Sequence, residues 1–223
     1  MHLLNKSITL YLCVLLNSTL VFAQEEPEFL VPTIDSDLLI DGTGDEVQWN
    51  KGEWQSDFWM WRPSDSVQAT KQTRFKLLRN TQYLYILVES ETDGTEFTTP
   101  NLKRDFSTYS TDYLTLLFDT FSDATNAFSF ATNPIGLKAD GLISGGNQNY
   151  RSDRNYAWDT KWTVATQITE DHFTAEIRIP FSAFFYDNSQ NYWRFNIYRG
   201  NPQINETSSW IRSPQNQLIG NLA

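Results

Sequence analysis

Apolar and polar positions alternate with a period of two along most of the chain, and one pair of segments sets the pattern for the rest. In 112–119 (Asp-Tyr-Leu-Thr-Leu-Leu-Phe-Asp), Leu114, Leu116 and Phe118 fall on one side of an extended strand. Across a turn at 122–126, rich in Asp, Ser and Asn, Phe128 and Phe130 supply a matching apolar row. The opposite sides carry Tyr113, Thr115 and Leu117 on one strand and Ala127, Ser129 and Ala131 on the other. One face is bulky enough for a sandwich core; the other is small and mixed, as suits a surface that something else approaches.

The same alternation predicts further hairpins. Segments 72–78 and 83–89 pair across 79–82, with Phe75 and Leu77 answering Leu84, Ile86 and Val88 while Tyr83 and Tyr85 face away. Segments 163–168 and 173–179 pair across Glu170 and Asp171, and additional strands are expected at 38–42, 137–144, 192–199 and 208–212. Asp45 opens a single helical turn through Trp49, and Pro180 limits 180–185 to a turn or short helix. Two connections, 93–109 and 145–156, are polar and irregular. No stretch holds a helical period, so the fold class is all-β: an antiparallel β-sandwich of roughly ten strands with short helical turns.

Composition narrows the chemistry. Of 223 residues, 1–23 read as a signal peptide, with Lys6, an apolar run at 8–16 and Val21-Phe22-Ala23 before the cut. Residues 24–223 then form one domain. The only cysteine, Cys13, leaves with the signal, and His172 is the single histidine that remains. Disulfides, thiol nucleophiles and Cys/His zinc sites are thereby excluded from the mature chain. His172 follows Thr169-Glu170-Asp171 and reads as a turn residue. The net charge of −10 and pI near 4.6, with no basic run, argue against nucleic acid as a partner.

The aromatic content (8 Trp, 10 Tyr, 15 Phe) suits strands and also stacking on the apolar faces of sugar rings. Trp49 and Trp54 are read as core anchors. Trp59 and Trp61 share a side if their segment is extended, and two readings stay open for them: a stacking platform, or packing beneath a loop.

Ile40-Asp41-Gly42 with Asp45 and Trp49, the strand 112–119, Ile177-Arg178-Ile179-Pro180-Phe181, Phe195-Asn196, and Trp210 with Pro214 and Gly220-Asn221-Leu222 together resemble the family 9 carbohydrate-binding modules. A closer resemblance is to the family-9-like module at the front of exported Bacteroidetes-type proteins, where it precedes an outer-membrane β-barrel. It is carried by Phe118-Asp119-Thr120-Phe121-Ser122-Asp123, Ala127-Phe128, 132–136 (Thr-Asn-Pro-Ile-Gly), 140–146 (Asp-Gly-Leu-Ile-Ser-Gly-Gly) and 193–199 (Trp-Arg-Phe-Asn-Ile-Tyr-Arg).

The resemblance implies an oligo- or polysaccharide ligand gripped between two aromatic rings, which fall at Tyr109 and Trp210. Trp59 and Trp61 are the alternative platform, and neighbouring Asp112, Arg104 and Arg199 are candidates for hydroxyl contacts. The family's strand glutamate falls at Thr115 and its arginine within 129–131, so those ionised partners are missing. No cofactor is required; calcium is implied as a possible structural ion, with Asp119, Asp123 and Asn126 as oxygen donors that turn capping also explains. The expected function is a non-catalytic carbohydrate-binding module, exported to the periplasm or the outer membrane of a Gram-negative bacterium. A barrel would belong to a longer form of the chain or to a partner. The alternatives are a sugar-independent docking domain for such a barrel and a glycoside hydrolase acting through an Asp/Glu pair.

Overall fold

The computed structural model describes residues 28–94, 96–100, 102–108, 111–144, 154–215 and 222. The expectations placed on 1–23, on Tyr109 and on 145–153 lie outside the described residues.

Two antiparallel sheets face each other, as the alternation predicts. One has seven strands: β1 (Trp59–Arg62), β4 (Tyr113–Asp119), β5 (Ala127–Thr132), β6 (Lys138–Ile143), β7 (Arg154–Asn155), β10 (Arg194–Asn201) and β11 (Glu206–Ser209). They lie side by side in the order β1-β11-β10-β4-β5-β6-β7. The other has four: β2 (Thr73–Arg79), β3 (Tyr83–Glu91), β8 (Thr163–Ile168) and β9 (His172–Pro180), in the order β2-β3-β9-β8.

The registers fix which side chains share a face. Leu116 sits opposite Phe130 and Phe118 opposite Phe128, while Phe75 meets Val88 and Leu77 meets Ile86. These rows, with Ile177, Ile179, Phe195 and Ile197, interdigitate between the sheets as the main core. A period of two leaves each sheet a second face, and both of those faces are also apolar.

The back of the four-stranded sheet carries Leu78, Tyr85 and Leu87, and the segment 34–54 covers it with Ile34, Leu38 and Trp49. Tyr85 therefore faces away from the core, as expected, yet is fully buried, and burial pushes its phenol up to about 12. The strand expected at 38–42 is absent: this segment crosses the sheet as a strap, flanked by isolated bridges from Thr33 to Arg79 and from Gln55 to Phe75. The strap makes a tight turn at Gly42 (φ +93°), where an added Cβ would sit 2.7 Å from the Thr166 carbonyl carbon. Helical turns form at Val47–Lys51, Phe181–Ala183 and Pro202–Ile204.

The last strand begins and ends earlier than its predicted span. It closes at Ser209, because Trp210 donates its backbone N–H to Ile197 O and the chain then leaves the sheet. His172 lies at the β8–β9 turn as read, its Nδ1 within 2.7 Å of Asp171 Oδ1 and 3.0 Å of Thr169 Oγ1.

Candidate functional site

The back of the seven-stranded sheet is the small, mixed face that the alternation predicts. Two rows of aligned residues cross it. Tyr198, Thr115, Ala131 and Ala139 stand opposite one another on β10, β4, β5 and β6; Asn196, Leu117, Ser129 and Gly141 form the next row. Ala and Gly on β5 and β6 keep the floor low there, and buried rings stand beside it on β4, β10 and β1. The Trp61 ring meets Tyr198 edge to face at 5.3 Å. Tyr113 lies over Gly200: a Cβ there would come within 2.0 Å of the Tyr113 ring, so only glycine lets that ring lie flat on the sheet.

Two hydroxyls on this floor, Thr115 Oγ1 and Ser129 Oγ, are buried without a hydrogen-bond partner among the described residues. They sit on adjacent strands in adjacent rows, within the span of one small polar ligand. Buried hydroxyls are normally paired, so two orphans on one face mark a place where a polar partner belongs. The described residues that close the face are Phe106 and Leu222, both buried in the same cluster.

The predicted ligand residues do not converge here. Trp210 is 6% exposed and packs between the sheets, with its ring 5.0 Å from Phe75, 5.7 Å from Phe29 and 6.3 Å from Phe195. The strand's period explains the correction: Trp210 continues the inward side of Ser208, whereas Thr207 and Ser209 point to the back face with Gly200 and Tyr198. Trp210 is therefore a core anchor and no half of a clamp. Trp61 is buried against Tyr198, with Arg62 over its ring at 4.6 Å, so the packing reading holds for it. Trp59 is half-buried beneath Arg212 at 5.1 Å, and the two tryptophans form no shared platform.

Asp112 and Arg199 are also corrected, because both are buried at one end of the core. Arg199 Nη1 donates to Asp112 Oδ1 at 3.2 Å, and Thr98 N–H donates to Asp112 Oδ2 at 2.8 Å. Burial pushes the Asp112 carboxyl up, against the opposing pull of Arg199. Arg104 braces a loop: it donates to Asp140 Oδ1 at 2.6 Å and also to Asp159, while Asp140 accepts from Thr160 N and Trp162 Nε1.

Asp119 and Asp123 organise the β4–β5 loop. Asp119 accepts the backbone N–H groups of Phe121, Asp123 and Ala124, and Asp123 accepts those of Thr125 and Asn126. Every Asp119 oxygen thus meets a donor, which is the turn-capping arrangement. The carboxylates that do gather, among the described residues, are Asp41, Glu46 and Glu176, with one oxygen of each within 4.8 Å of the others.

Glu176 ties the strap to the sheet. Asp41 N–H and Gly42 N–H donate to its Oε2 at 3.0 and 2.8 Å, and Trp49 Nε1–H donates to its Oε1 at 3.0 Å. Burial pushes Glu176 up to about 7; the Gly42 and Trp49 donors oppose that shift, and Glu46 adds to it. Sequence reasoning found Asp41 and Trp49 within a motif but missed Glu176, whose apolar neighbours on β9 mark only a strand.

An antiparallel sandwich whose larger sheet carries a small, mixed back face is the class of molecule these observations define. The sequence profile of the carbohydrate family 9 binding domain-like family matches residues 40–212, and the chain belongs to that family. Its fold is similar to a family 9 carbohydrate-binding module from Caldicellulosiruptor kristjanssonii solved with cellotriose (TM-score 0.57, 17% identity, 87% of this chain and 90% of that one). The same module solved with glucose gives a TM-score of 0.56 at 17% identity, over 86% and 91%. A structure from Bacteroides uniformis ATCC 8492, described as a candidate carbohydrate-binding protein, gives 0.62 at 11% identity, over 86% and 95%. No curated protein sequence matches the chain.

Proposed function

We propose that the chain is a non-catalytic carbohydrate-binding module whose ligand face is the back of the seven-stranded sheet. The observation that carries this reading is the pair of hydroxyls unpaired among the described residues, Thr115 Oγ1 and Ser129 Oγ, on a low floor beside the buried rings of Tyr113, Tyr198 and Trp61. Once the face is uncovered, rings and hydroxyls side by side match the two surfaces of a sugar, its C–H faces and its hydroxyl edge. Of the positions where the family's ionised partners fall, Thr115 and, within 129–131, Ser129 and Ala131 lie on this same face. Family membership and the fold shared with modules solved with glucose and cellotriose support neutral glucose-type saccharides as the ligand class. Phe106 and Leu222 cover the face, so binding displaces side chains there, Leu222 among them.

The setting of Glu176, pushed up to about 7, supports a non-catalytic role. Glu176 is buried with both oxygens engaged by the strap, and cannot reach a glycosidic bond. Export to the cell envelope, and association with an outer-membrane barrel, belong to this proposal as the setting in which such a module works. The covered face also favours a second reading, a docking domain indifferent to sugar. Titration of glucose, cellobiose and cellotriose, read by tryptophan fluorescence, separates the two. A saturable change that is lost in a Thr115→Val, Ser129→Ala double variant upholds the module. Silence up to millimolar concentration in both the parent and a Leu222→Ala variant leaves the docking domain.

A further inference from the structure

The largest exposed aromatic cluster lies at the end of the sandwich where β4 meets β5. Phe185 is 69% exposed, Tyr192 65%, Phe121 43% and Tyr186 40%, and Trp193 is half-buried among them. Sequence places these rings on two segments, the β4–β5 loop and the stretch between Phe181–Ala183 and β10. The fold joins the two: Arg194 pairs with Asp119, Thr120 Oγ1 donates to Phe185 O, and Gln190 Nε2 donates to Phe121 O at 3.1 Å.

Three of the rings, Phe185, Tyr186 and Trp193, are seated rather than dangling. Trp193 packs 4.9 Å from Phe184 and 5.3 Å from Tyr186, and Phe185 tilts over Phe128 at 6.3 Å. Phe184 and Phe128 belong to the main core, so the exposed rings stand on a fixed base. A surface that holds several large rings in water in one place marks a binding surface.

The neighbouring chemistry selects the occupant. Between Tyr186 and Tyr192 runs Asp187-Asn188-Ser189-Gln190-Asn191, pinned by Ser189 N–H donating to Asp187 Oδ1 at 2.8 Å. The exposed side chains of Asn188, Ser189 and Asn191 set amides and a hydroxyl beside the rings. Flat rings flanked by amides and hydroxyls suit a ligand with alternating C–H faces and hydroxyl edges. The adjacent carboxylates Asp123 and Asp187 are exposed, no lysine lies in either segment, and the chain as a whole carries −10. That charge disfavours acidic polymers and anionic bilayers, which attract basic surfaces.

We propose that this end of the sandwich is a second carbohydrate surface, one that takes the length of a neutral polysaccharide through Phe185, Tyr186, Tyr192 and Trp193. It stands on its own rings and amides and does not require the sheet face to bind. Polymers would then be held more tightly than short sugars, because two surfaces on one domain act at a high effective concentration.

The test is affinity electrophoresis of the chain through gels containing hydroxyethylcellulose or glucomannan, comparing the parent with a Phe185→Ser, Tyr192→Ser double variant. Both side chains are mostly in water, so the melting temperature stays within a few degrees, and a Tyr192→Phe variant that keeps the ring retains binding. Retardation of the parent, weakened about tenfold or more in the double variant while cellotriose titration is unaltered, supports the proposal. Equal retardation of parent and double variant overturns it, as does absence of retardation in the parent. Ring-dependent binding to neutral phosphatidylcholine vesicles, or a ring-dependent dimer, in place of polymer retention would reassign the surface to a membrane or a second copy. A silent cellotriose titration with intact polymer retention would sink only the sheet-face reading.

Discussion

Replacing Glu176 by Gln changes how stability depends on pH, and the sign is fixed by the structure. Burial raises this carboxyl from 4.5 to about 7. At pH 4.5 and below, both the folded and unfolded chains hold the proton and the contribution of the site is fully present. As pH rises towards 7 the unfolded chain releases its proton first, so the folded state loses stability through that window and no further above it. A shift of this size corresponds to about 3 kcal/mol at 1.36 kcal/mol per unit. Glutamine does not titrate, so the slope disappears in Glu176→Gln. The amide cannot accept from all three donors, Asp41 N, Gly42 N and Trp49 Nε1, which adds a pH-independent cost of about 1–3 kcal/mol. Urea unfolding at four pH values between 4.5 and 7.5 reads both effects. The parent's advantage over the variant should fall with rising pH and vanish or reverse by pH 7.5, where the loss of about 3 kcal/mol matches or exceeds the fixed cost; parallel curves would refute the account of Glu176 as a buried, proton-holding anchor.

Trp210→Ala removes a ring packed against Phe29, Phe75 and Phe195, and should destabilise the fold by about 3–5 kcal/mol in urea titrations. A loss below 1 kcal/mol together with a loss of sugar binding would restore it to the ligand site. Asp112→Ala strands the Arg199 guanidinium in the core and should cost about 3–5 kcal/mol, with the double change Asp112→Ala, Arg199→Met recovering part of it. Leu222→Ala opens the back of the seven-stranded sheet and should tighten cellotriose binding, measured by calorimetry; weaker binding would mean that Leu222 completes the site rather than covering it.

Period two was enough to read the architecture. The central hairpin, the 72–89 hairpin and the 163–179 hairpin all pair in the faces their alternation predicts, because each has one bulky row that must be buried. The mixed character of the Tyr113, Thr115, Ser129 and Ala131 face was equally legible. What the pattern could not reveal is what covers a second apolar face. Leu38 and Ile40 look like a strand in isolation, yet they cross a sheet whose Tyr85 and Leu87 also need cover. Trp210 was misassigned to the ligand for a related reason: an aromatic residue at a strand end can turn inward or outward, and only the register of β11 against β10 decides. Asp112 and Arg199, 87 positions apart, are brought together by tertiary folding alone.

Sugar recognition on the back of the seven-stranded sheet is tested most directly by methyl NMR. With Ala, Leu and Thr methyl groups labelled, titration of cellotriose should shift Thr115, Ala131, Ala139 and Leu222, while Ala175 in the main core stays fixed. An unchanged spectrum at millimolar cellotriose, or shifts that spare Thr115 and Ala131, would contradict the account.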